Sequence, residues 1–377
     1  MPTSRAESRT YIYLPYADEQ ATGMQRFGSE IIKALLRTGL QAEVLIGEVQ
    51  GQPRWLEGVP HKVVLGSALT RRLPRAMTAL LRLLWVQFGF PIHARRGATL
   101  LTLADRDLAI LPLVRQIAVV HDLTQAGRYR QEARAGHKFR IRLWKIGLHR
   151  SDRVIAISTA TRDDLVEVFG IPPDKIQVID EGFDPAIFSP GERRGGARPA
   201  LLYAGTLAPN KNIPFLLEVF TELRGRGFDV ELQLVGRYPP EQFEALIAAV
   251  PPEHRSAVVP VGFVTDTELA ERMRNCTAFV FPSLSEGFGL APVEAMACGA
   301  PVVSSEATSL KEVVGEGGLL LSPHDRQGWV EALERVLTDE AWRAELSERA
   351  LRRSRAFSWD QAALAYRDLI QSVPRAS

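Results

Sequence analysis

Short apolar runs alternate with helical patterns along the first half of this 377-residue chain. The apolar runs lie at residues 11–14, 42–46, 117–120 and 153–157, with one helical pattern near 24–37 and another that follows the last run as far as 169. This β-α-β order is typical of a parallel sheet with helices on its faces. The first half therefore predicts a doubly wound α/β domain.

The same order begins again after residues 182–199, a segment rich in glycine and proline that is typical of a linker. Apolar runs follow at 200–203, 230–235, 257–261, 278–281 and 301–303, with helical patterns at 213–224 and before Gly299. The fold class predicted is therefore α/β, with two doubly wound domains, 1–190 and 196–355, facing each other across a cleft. Ligands of such sheets bind outside the carboxyl ends of the strands, so the cleft is the expected site. A helical pattern at 342–370 is expected to return to the first domain, which would then include 356–377.

Composition is that of a folded globular protein, with 46% apolar and 24% charged residues. No run reaches the roughly 18 apolar residues of a spanning helix, because the best candidate, 109–120, contains Pro112 and Arg115. The first residues lack the pattern of a secretion signal, so a cytoplasmic location is expected. Cys276 and Cys298 are too few for a disulfide framework or a thiolate metal site, and we expect both to be buried.

A turn containing glycine and lysine follows the first apolar run of the second domain, in the segment Tyr203-Ala-Gly-Thr-Leu-Ala-Pro-Asn-Lys-Asn212. Such a turn directs backbone N–H groups toward an anion, and Lys211 adds a positive charge near the start of the following helix. The pattern predicts phosphate binding. Taken alone, the segment fits an ordinary loop with a surface lysine equally well.

Two glutamates eight positions apart lie in a second glycine-rich segment, Pro282-Ser-Leu-Ser-Glu286-Gly-Phe-Gly-Leu-Ala-Pro-Val-Glu294-Ala-Met-Ala-Cys-Gly-Ala-Pro301. Pro292 suits the first turn of a helix and Gly299 its C-terminal end. Loop amides before the helix could bind an anion, while the carboxylates could accept hydrogen bonds from sugar hydroxyls. The alternative is that Glu294 caps its own helix and Glu286 is solvated.

This glutamate pair resembles the signature of retaining glycosyltransferases of family 4, which have the GT-B fold of two Rossmann-like domains. Weaker resemblances extend along the chain. In the first half, Thr22 to Gln25 resembles the N-terminal glycine loop, and His121-Asp122 resembles the histidine at the end of an N-domain strand. The segment 155–162 resembles the strand and helix before the linker. In the second half, Gly205 to Asn212 resembles the phosphate loop, and Phe357-Ser-Trp359 resembles the final returning helix.

The resemblance implies a role for each matching residue. Lys211 would contact the donor diphosphate, Glu294 the nucleotide ribose and Glu286 the donor sugar. His121 would face the reacting sugar; its alternative interpretation is a buried histidine bonded to Asp122. The remaining donor-site residues implied are Gly23, which would let the first domain approach the donor, and Gly205, Thr206, Gly287, Phe288, Gly289 and Leu290.

The phosphate loop of this chain departs from the family pattern at one position. Many family members carry Gly-Arg where this chain has Gly205-Thr206. A second cation on the diphosphate is therefore missing at this position. Lys211 would carry more of the leaving-group stabilisation, unless Arg237 or Arg26 substitutes.

The reaction implied is transfer of a hexose from a nucleotide diphosphate sugar to an acceptor hydroxyl, with retention at the anomeric carbon. No metal and no cofactor are expected. The segment Asp105-Arg106-Asp107 matches the short pattern of metal-dependent transferases, but it lies in the first domain and is interpreted as a solvated turn.

The phosphate loop is most similar to that of mannosyltransferases that use GDP-mannose in bacterial surface polysaccharide biosynthesis. Alternatives are a transferase with a dTDP- or UDP-linked donor, a nucleotide-sugar epimerase or phosphorylase of the same fold, and a non-catalytic protein that binds sugar nucleotides.

Charge is divided unevenly, with a net +8 up to residue 195 and −6 beyond it. Two basic segments with helical spacing lie in the positive half. One has Leu73, Met77, Leu80, Leu84 and Phe88 opposite Arg71, Arg75, Thr78 and Arg82; the other has Lys138, Arg142, Lys145 and His149 beside Phe139, Leu143 and Ile146.

Basic amphipathic helices bind anionic lipid, so the pair favours a membrane surface and a glycan or polyprenyl-diphosphate-linked acceptor. Packing of each apolar face into a core is the alternative. Nucleic acid is not expected, because no aromatic recognition motif accompanies the charge.

Overall fold

The chain forms two compact units, Met1–Glu181 with Trp359–Ser377, and Gly182–Ser358. The computed structural model describes residues 10–18, 23–65, 73–94, 97–104, 107–111, 115–123, 135–192 and 198–373. Thr22, Arg71, Asp105 and Arg106, which entered the sequence predictions, lie outside these ranges, as do the side chains of Arg75, Lys138 and Phe139.

The first unit contains a parallel sheet of seven strands in the order β3-β2-β1-β4-β5-β6-β7. The strands are β1 Thr10–Asp18, β2 Ala42–Gln50, β3 His61–Val63, β4 Thr99–Thr102, β5 Arg115–Val120, β6 Arg153–Ala156 and β7 Ile176–Val178. The central strands are almost wholly apolar and buried, as a sheet covered on both faces requires. Among the described strands, the edge strand β3 is exposed along its length, and its three residues carried no signal in the sequence.

Helices of the first unit connect these strands. They are Gly23–Arg37, Arg75–Leu84, Phe90–His93, Ala135–Arg150, Thr159–Asp164 and Trp359–Ser372, with π turns at Trp85–Gly89 and Leu165–Phe169 and 3₁₀ turns at Arg54–Leu56 and Pro173–Lys175. The helix Gly23–Arg37 packs against Trp359–Ser372, where the rings of Phe27 and Trp359 meet edge to face at 5.7 Å.

The second unit contains a parallel sheet of six strands in the order β10-β9-β8-β11-β12-β13. The strands are β8 Ala200–Ala204, β9 Glu231–Val235, β10 Val258–Gly262, β11 Ala278–Phe281, β12 Val302–Ser305 and β13 Leu319–Leu321. Both sheets are parallel, and described helices lie between most of their successive strands, so the predicted pair of doubly wound α/β domains is confirmed.

Two helices of the second unit follow the loops after β8 and β11, and these loops and helices position the candidate site. The helices of the whole unit are Ile213–Gly225, Pro240–Ile247, Pro252–Arg255, Asp266–Asn275, Leu290–Ala297, Leu310–Val314, Arg326–Thr338 and Glu340–Ser354, with 3₁₀ turns at Pro209–Lys211 and Gly315–Gly317.

The helical pattern at 342–370 forms two helices, Glu340–Ser354 in the second unit and Trp359–Ser372 in the first. The glycine- and proline-rich segment that starts at Gly182 lies in the second unit, where Arg274 donates to the carbonyls of Ile187 (2.7 Å) and Ser189 (2.8 Å).

None of the helices in the described ranges combines the length and the apolar character needed to cross a bilayer. Cys276 and Cys298 are both buried, as predicted, and both are thiols rather than halves of a disulfide. Burial raises the pKa of the Cys298 thiol to about 12, so the reactive thiolate is scarce at neutral pH.

We expect the native protein to release little chromophore from Ellman's reagent at pH 8, because both thiols are inaccessible and Cys298 stays protonated. Unfolding in guanidinium should expose both thiols to rapid reaction. Rapid reaction of a full thiol equivalent in the native state would contradict this account of the core.

Candidate functional site

The loop after β8 is held in a fixed shape by an asparagine. Asn212 adopts the left-handed backbone conformation (φ 57°), which asparagine tolerates better than most residues. Its side-chain amide donates to the carbonyls of Pro282 (3.3 Å) and Pro323 (3.0 Å). The turn Pro209–Lys211 is thereby fixed just before the helix that starts at Ile213.

The loop after β11 is held by two hydroxyl side chains. Thr308 Oγ1 accepts from the Glu286 N–H (2.8 Å) and donates to the Glu286 carbonyl (2.9 Å). Ser309 Oγ lies 3.0 Å from the Glu286 carbonyl and 2.8 Å from that of Phe288. These bonds fix the backbone on both sides of Gly287.

The two loops are also bonded to each other, because β8 and β11 are neighbouring strands. The Leu284 N–H donates to the Asn210 carbonyl at 2.7 Å, and the Asn210 amide donates to the Ser285 carbonyl at 3.1 Å. Lys211 and Glu286 therefore start from backbones whose separation is fixed.

Lys211 and Glu286 form an ion pair between these loops. Lys211 Nζ lies 2.6 Å from Glu286 Oε1 and 2.8 Å from Oε2, and both side chains are largely buried. The ammonium also lies 5.5 Å from the centre of the Phe281 ring, a cation–π distance. The sequence prediction placed both residues in one donor site, and the structure brings them into direct contact.

Glu294 is buried in the helix Leu290–Ala297. That helix begins after Gly289, whose positive φ of 112° favours glycine. Its first N–H groups have no carbonyl one turn earlier to bind, so this end suits an anion. Phe288 is buried against Phe357, with ring centres 5.6 Å apart, and anchors the loop before the helix.

Gly205 and Gly236 bring the loops after β8 and β9 into close contact. A Cβ atom on Gly236 would overlap the Gly205 carbonyl oxygen, and one on Gly205 would lie 2.5 Å from the Tyr203 hydroxyl. The Tyr203 hydroxyl donates a hydrogen bond to the backbone carbonyl of Thr206 (2.7 Å), and Thr206 itself is exposed. The guanidinium of Arg237, an alternative second cation, lies 4.9 Å above the Phe263 ring.

In the first unit, His121 is buried just after β5. Its Nδ1 lies 3.6 Å from a carboxylate oxygen of Glu181, its Nε2 lies 3.4 Å from the Leu103 carbonyl oxygen, and its ring meets that of Phe27 edge to face at 4.5 Å. Burial raises the pKa of the Glu181 carboxyl, an effect that the His121 ring opposes. Gly23 is the exposed first residue of its helix, and a Cβ there would meet no atom of the described residues within 4 Å.

Glu181 was missed by sequence reasoning, since sixty positions separate it from His121 and no local motif marks it. Thr308 and Ser309 were missed for the same reason, and Asn210 was given no role although it lies in the segment 203–212. The interpretation of Asp107 as solvated is wrong, because it is buried and accepts from Arg82 Nε at 2.9 Å.

Two family models match the chain. Residues 21–187 match Glycosyltransferase Family 4, and residues 198–339 match Glycosyl transferases group 1.

Two curated relatives and one solved structure are similar to the chain. The serotype-specific mannosyltransferase WbdA of Escherichia coli is 35% identical over 235 residues, which cover 57% of this chain and 28% of the relative. The O-antigen chain mannosyltransferase B of Escherichia coli is 31% identical over 255 residues, 59% of this chain and 62% of the relative. A sucrose-phosphate synthase from Thermosynechococcus elongatus superimposes with a TM-score of 0.77 at 21% identity, covering 97% and 98% of the two chains.

These matches reach less than two thirds of the length of either curated relative. The structural neighbours have the GT-B fold, which confirms the predicted fold class.

We expect Gly236→Ala to destabilise the protein by about 2–4 kcal/mol, because the new methyl group overlaps a backbone oxygen that cannot move freely. Gly225→Ala is the matched control, since a Cβ there meets nothing within 4 Å and alanine favours the helix. Urea unfolding measures both. Equal stability of the two variants would contradict the close contact of the two loops.

Proposed function

This chain belongs to glycosyltransferase family 4, and from that premise we propose that it transfers a hexose from a nucleotide diphosphate sugar to an acceptor hydroxyl. The observation that carries the proposal is the ion pair of Lys211 and Glu286 at the carboxyl ends of neighbouring parallel strands. Ligands of doubly wound sheets collect at that edge.

Lys211 is proposed to bind the donor diphosphate. The charge of Lys211 is balanced by Glu286 at 2.6 Å. An arriving diphosphate brings further negative charge to the same ammonium, so the lysine would be shared with it. As the bond to the sugar breaks, charge grows on the diphosphate, and a fixed cation stabilises that charge more than it stabilises the ground state.

Glu286 and Glu294 are proposed to hold the donor's hydroxyl groups. Glu286 is fixed at its backbone by Thr308 and has two carboxylate oxygens that can accept from the sugar. Glu294 lies on the helix that begins beside this loop and is assigned to the ribose. The N–H groups of the first helical turn are assigned to the diphosphate, together with the backbone of Gly287 to Leu290.

His121 is proposed to act on the reacting sugar, and Glu181 to orient its ring. The Glu181 carboxylate beside Nδ1 and the Leu103 carbonyl beside Nε2 can each accept from a ring N–H, and the two contacts together fix the plane of the ring. Glu181 is thus a positioning residue for His121.

Mannose from GDP-mannose is the donor we propose, with retention at the anomeric carbon and without a metal or cofactor. The support is the similarity to two mannosyltransferases of Escherichia coli, one of them named for the O-antigen chain. The acceptor proposed is a lipid-linked or glycan chain in surface polysaccharide biosynthesis, with the protein at the inner face of the cell membrane.

We expect Lys211→Ala and Glu286→Gln each to lower the rate of nucleotide release by about 10²–10³-fold, as loss of one preorganised charge does in other enzymes. Lys211→Ala should also weaken binding of GDP about tenfold or more, since a charged hydrogen bond is lost. Lys311→Ala and Glu253→Gln, at exposed positions of the same unit, are the matched controls.

The measurement is a panel of nucleotide sugars, with and without acceptor, scored for free nucleotide. Release from GDP-mannose that depends on acceptor supports the proposal. Conversion of the donor without acceptor would indicate an epimerase, a requirement for free phosphate a phosphorylase, and binding without release a non-catalytic protein. Unchanged rates in both site variants would remove the assignment.

We expect Glu181→Gln to lower kcat about tenfold or more while the donor KM changes little, because the substitution disturbs only the orientation of His121. The wild-type rate should rise with pH as the Glu181 carboxyl ionises, over a range shifted above the usual range for glutamate because burial raises its pKa. The variant should lack this rise. Glu192→Gln, an exposed position, is the control, and identical pH profiles of variant and wild type would contradict the role.

A further inference from the structure

The last helix of the chain, Trp359–Ser372, turns one side into the interior of the first unit. Trp359, Ala363, Tyr366 and Ile370 follow one another on that side at helical spacing, and all four are buried. Three of these side chains are held there by their apolar surface alone. Tyr366 differs, because it carries a hydroxyl group into the same interior.

The Tyr366 hydroxyl is buried without a hydrogen-bond partner. The side chain is 1% exposed, and its oxygen makes no hydrogen bond to any residue that the structure describes. A buried polar group without a partner destabilises a fold, and phenylalanine would fill almost the same volume without that cost. Packing therefore explains the ring of Tyr366 but leaves its hydroxyl unexplained.

Glu181 is the charged group that acts on this hydroxyl. Burial raises the pKa of the Tyr366 phenol well above its usual value, and the negative charge of Glu181 raises it further. The Glu181 carboxyl is itself 4% exposed, and its Oε1 lies 3.6 Å from His121 Nδ1. An ionised carboxylate can accept several hydrogen bonds, so Glu181 can accept one from a phenol in addition to one from the histidine.

The same helix reaches His121 by a second route. The ring of Trp359, two turns before Tyr366 on the same side, meets the ring of Phe27 edge to face at 5.7 Å. Phe27 in turn meets the His121 ring edge to face at 4.5 Å. One route is aromatic and the other is polar, and all of these residues belong to the first unit. The surroundings of His121 are therefore built in large part by the last helix.

We propose that Tyr366 is a positioning residue for His121, because its hydroxyl donates a hydrogen bond to the Glu181 carboxylate and thereby orients that carboxylate against the histidine ring. The bond would be direct or pass through one buried water. Tyr366 acts through Glu181 and is not itself a catalytic residue. The importance of His121 rests on the proposed glycosyl transfer, whereas the bond between Tyr366 and Glu181 does not.

The charge of Glu181 depends on the groups around it. Burial raises the pKa of its carboxyl, the His121 ring lowers this pKa, and the charge of Asp180 raises it. A hydrogen bond from Tyr366 stabilises the ionised carboxylate, so it lowers the same pKa. Removal of the hydroxyl should therefore move the ionisation of Glu181 to higher pH.

An NMR titration of the full chain tests the proposal without any substrate. Tyr366→Phe removes the hydroxyl and keeps the ring. The ring signals of His121 report the charge of Glu181, and His121→Asn identifies them among those of the seven histidines. In Tyr366→Phe the pH at which Glu181 ionises should rise by about half a unit or more, since a bond to its charged form is lost. Tyr11→Phe, at another buried tyrosine of the first unit, should leave it unchanged.

Urea unfolding provides a second readout. Tyr366→Phe should lower the urea midpoint of the wild type, and it should lower that of Glu181→Gln by less, because the charged acceptor is then absent. A hydroxyl that bonds nothing predicts the opposite, since removal of an unbonded buried polar group leaves stability equal or higher.

Donor turnover links the bond to the reaction. Tyr366→Phe should lower kcat with little change in the donor KM, and the rise of the rate with pH should shift upward as in the titration. A wild type without donor turnover would remove the proposed function but not this bond, which the NMR and urea results decide by themselves. An unchanged ionisation of Glu181 in Tyr366→Phe, or a urea midpoint equal to or above that of the wild type, would overturn the proposal.

Discussion

The contact between Lys211 and Glu286 is the interaction on which the chemistry that we propose for the second unit depends. It joins residues 75 positions apart, and it exists because β8 and β11 are adjacent in the sheet and their loops are bonded through Asn210. Both charges are largely removed from water, yet each is compensated by the other. A cation and a carboxylate are therefore held in place at one point, as the proposed binding of a diphosphate attached to a sugar requires.

Buried charged groups of the first unit are also paired. Arg82 is compensated by Asp107 and Glu48, and the ring of His121 lies against Glu181. The Arg82 side chain points into the unit, and this orientation places the opposite side of its helix toward solvent. Because Arg82 is paired inside the unit, the opposite side of its helix is left outside, where Met77, Leu80 and Leu84 are exposed.

Sequence alone predicted the two sheets, because their central strands are continuous apolar runs and their connections have helical spacing. It also brought Lys211 and Glu286 together, since each lies in a motif that a strand, a glycine turn and a helix explain locally. It failed where the deciding contact is distant: Glu181 beside His121 has no local signal, and periodicity shows which residues share a helix face without showing which face is buried. Four of the described strands, β3, β4, β7 and β13, were missed; each has only three or four residues, and the three of β3 are exposed and carry no apolar pattern.

A crystal structure of the protein with GDP-mannose bound would test the central claim most directly. We predict that the diphosphate contacts Lys211 Nζ and the backbone from Gly287 to Leu290, with the sugar hydroxyls on Glu286 and the ribose on Glu294. A diphosphate bound elsewhere, with the ion pair of Lys211 and Glu286 intact and out of contact with the ligand, would contradict the account.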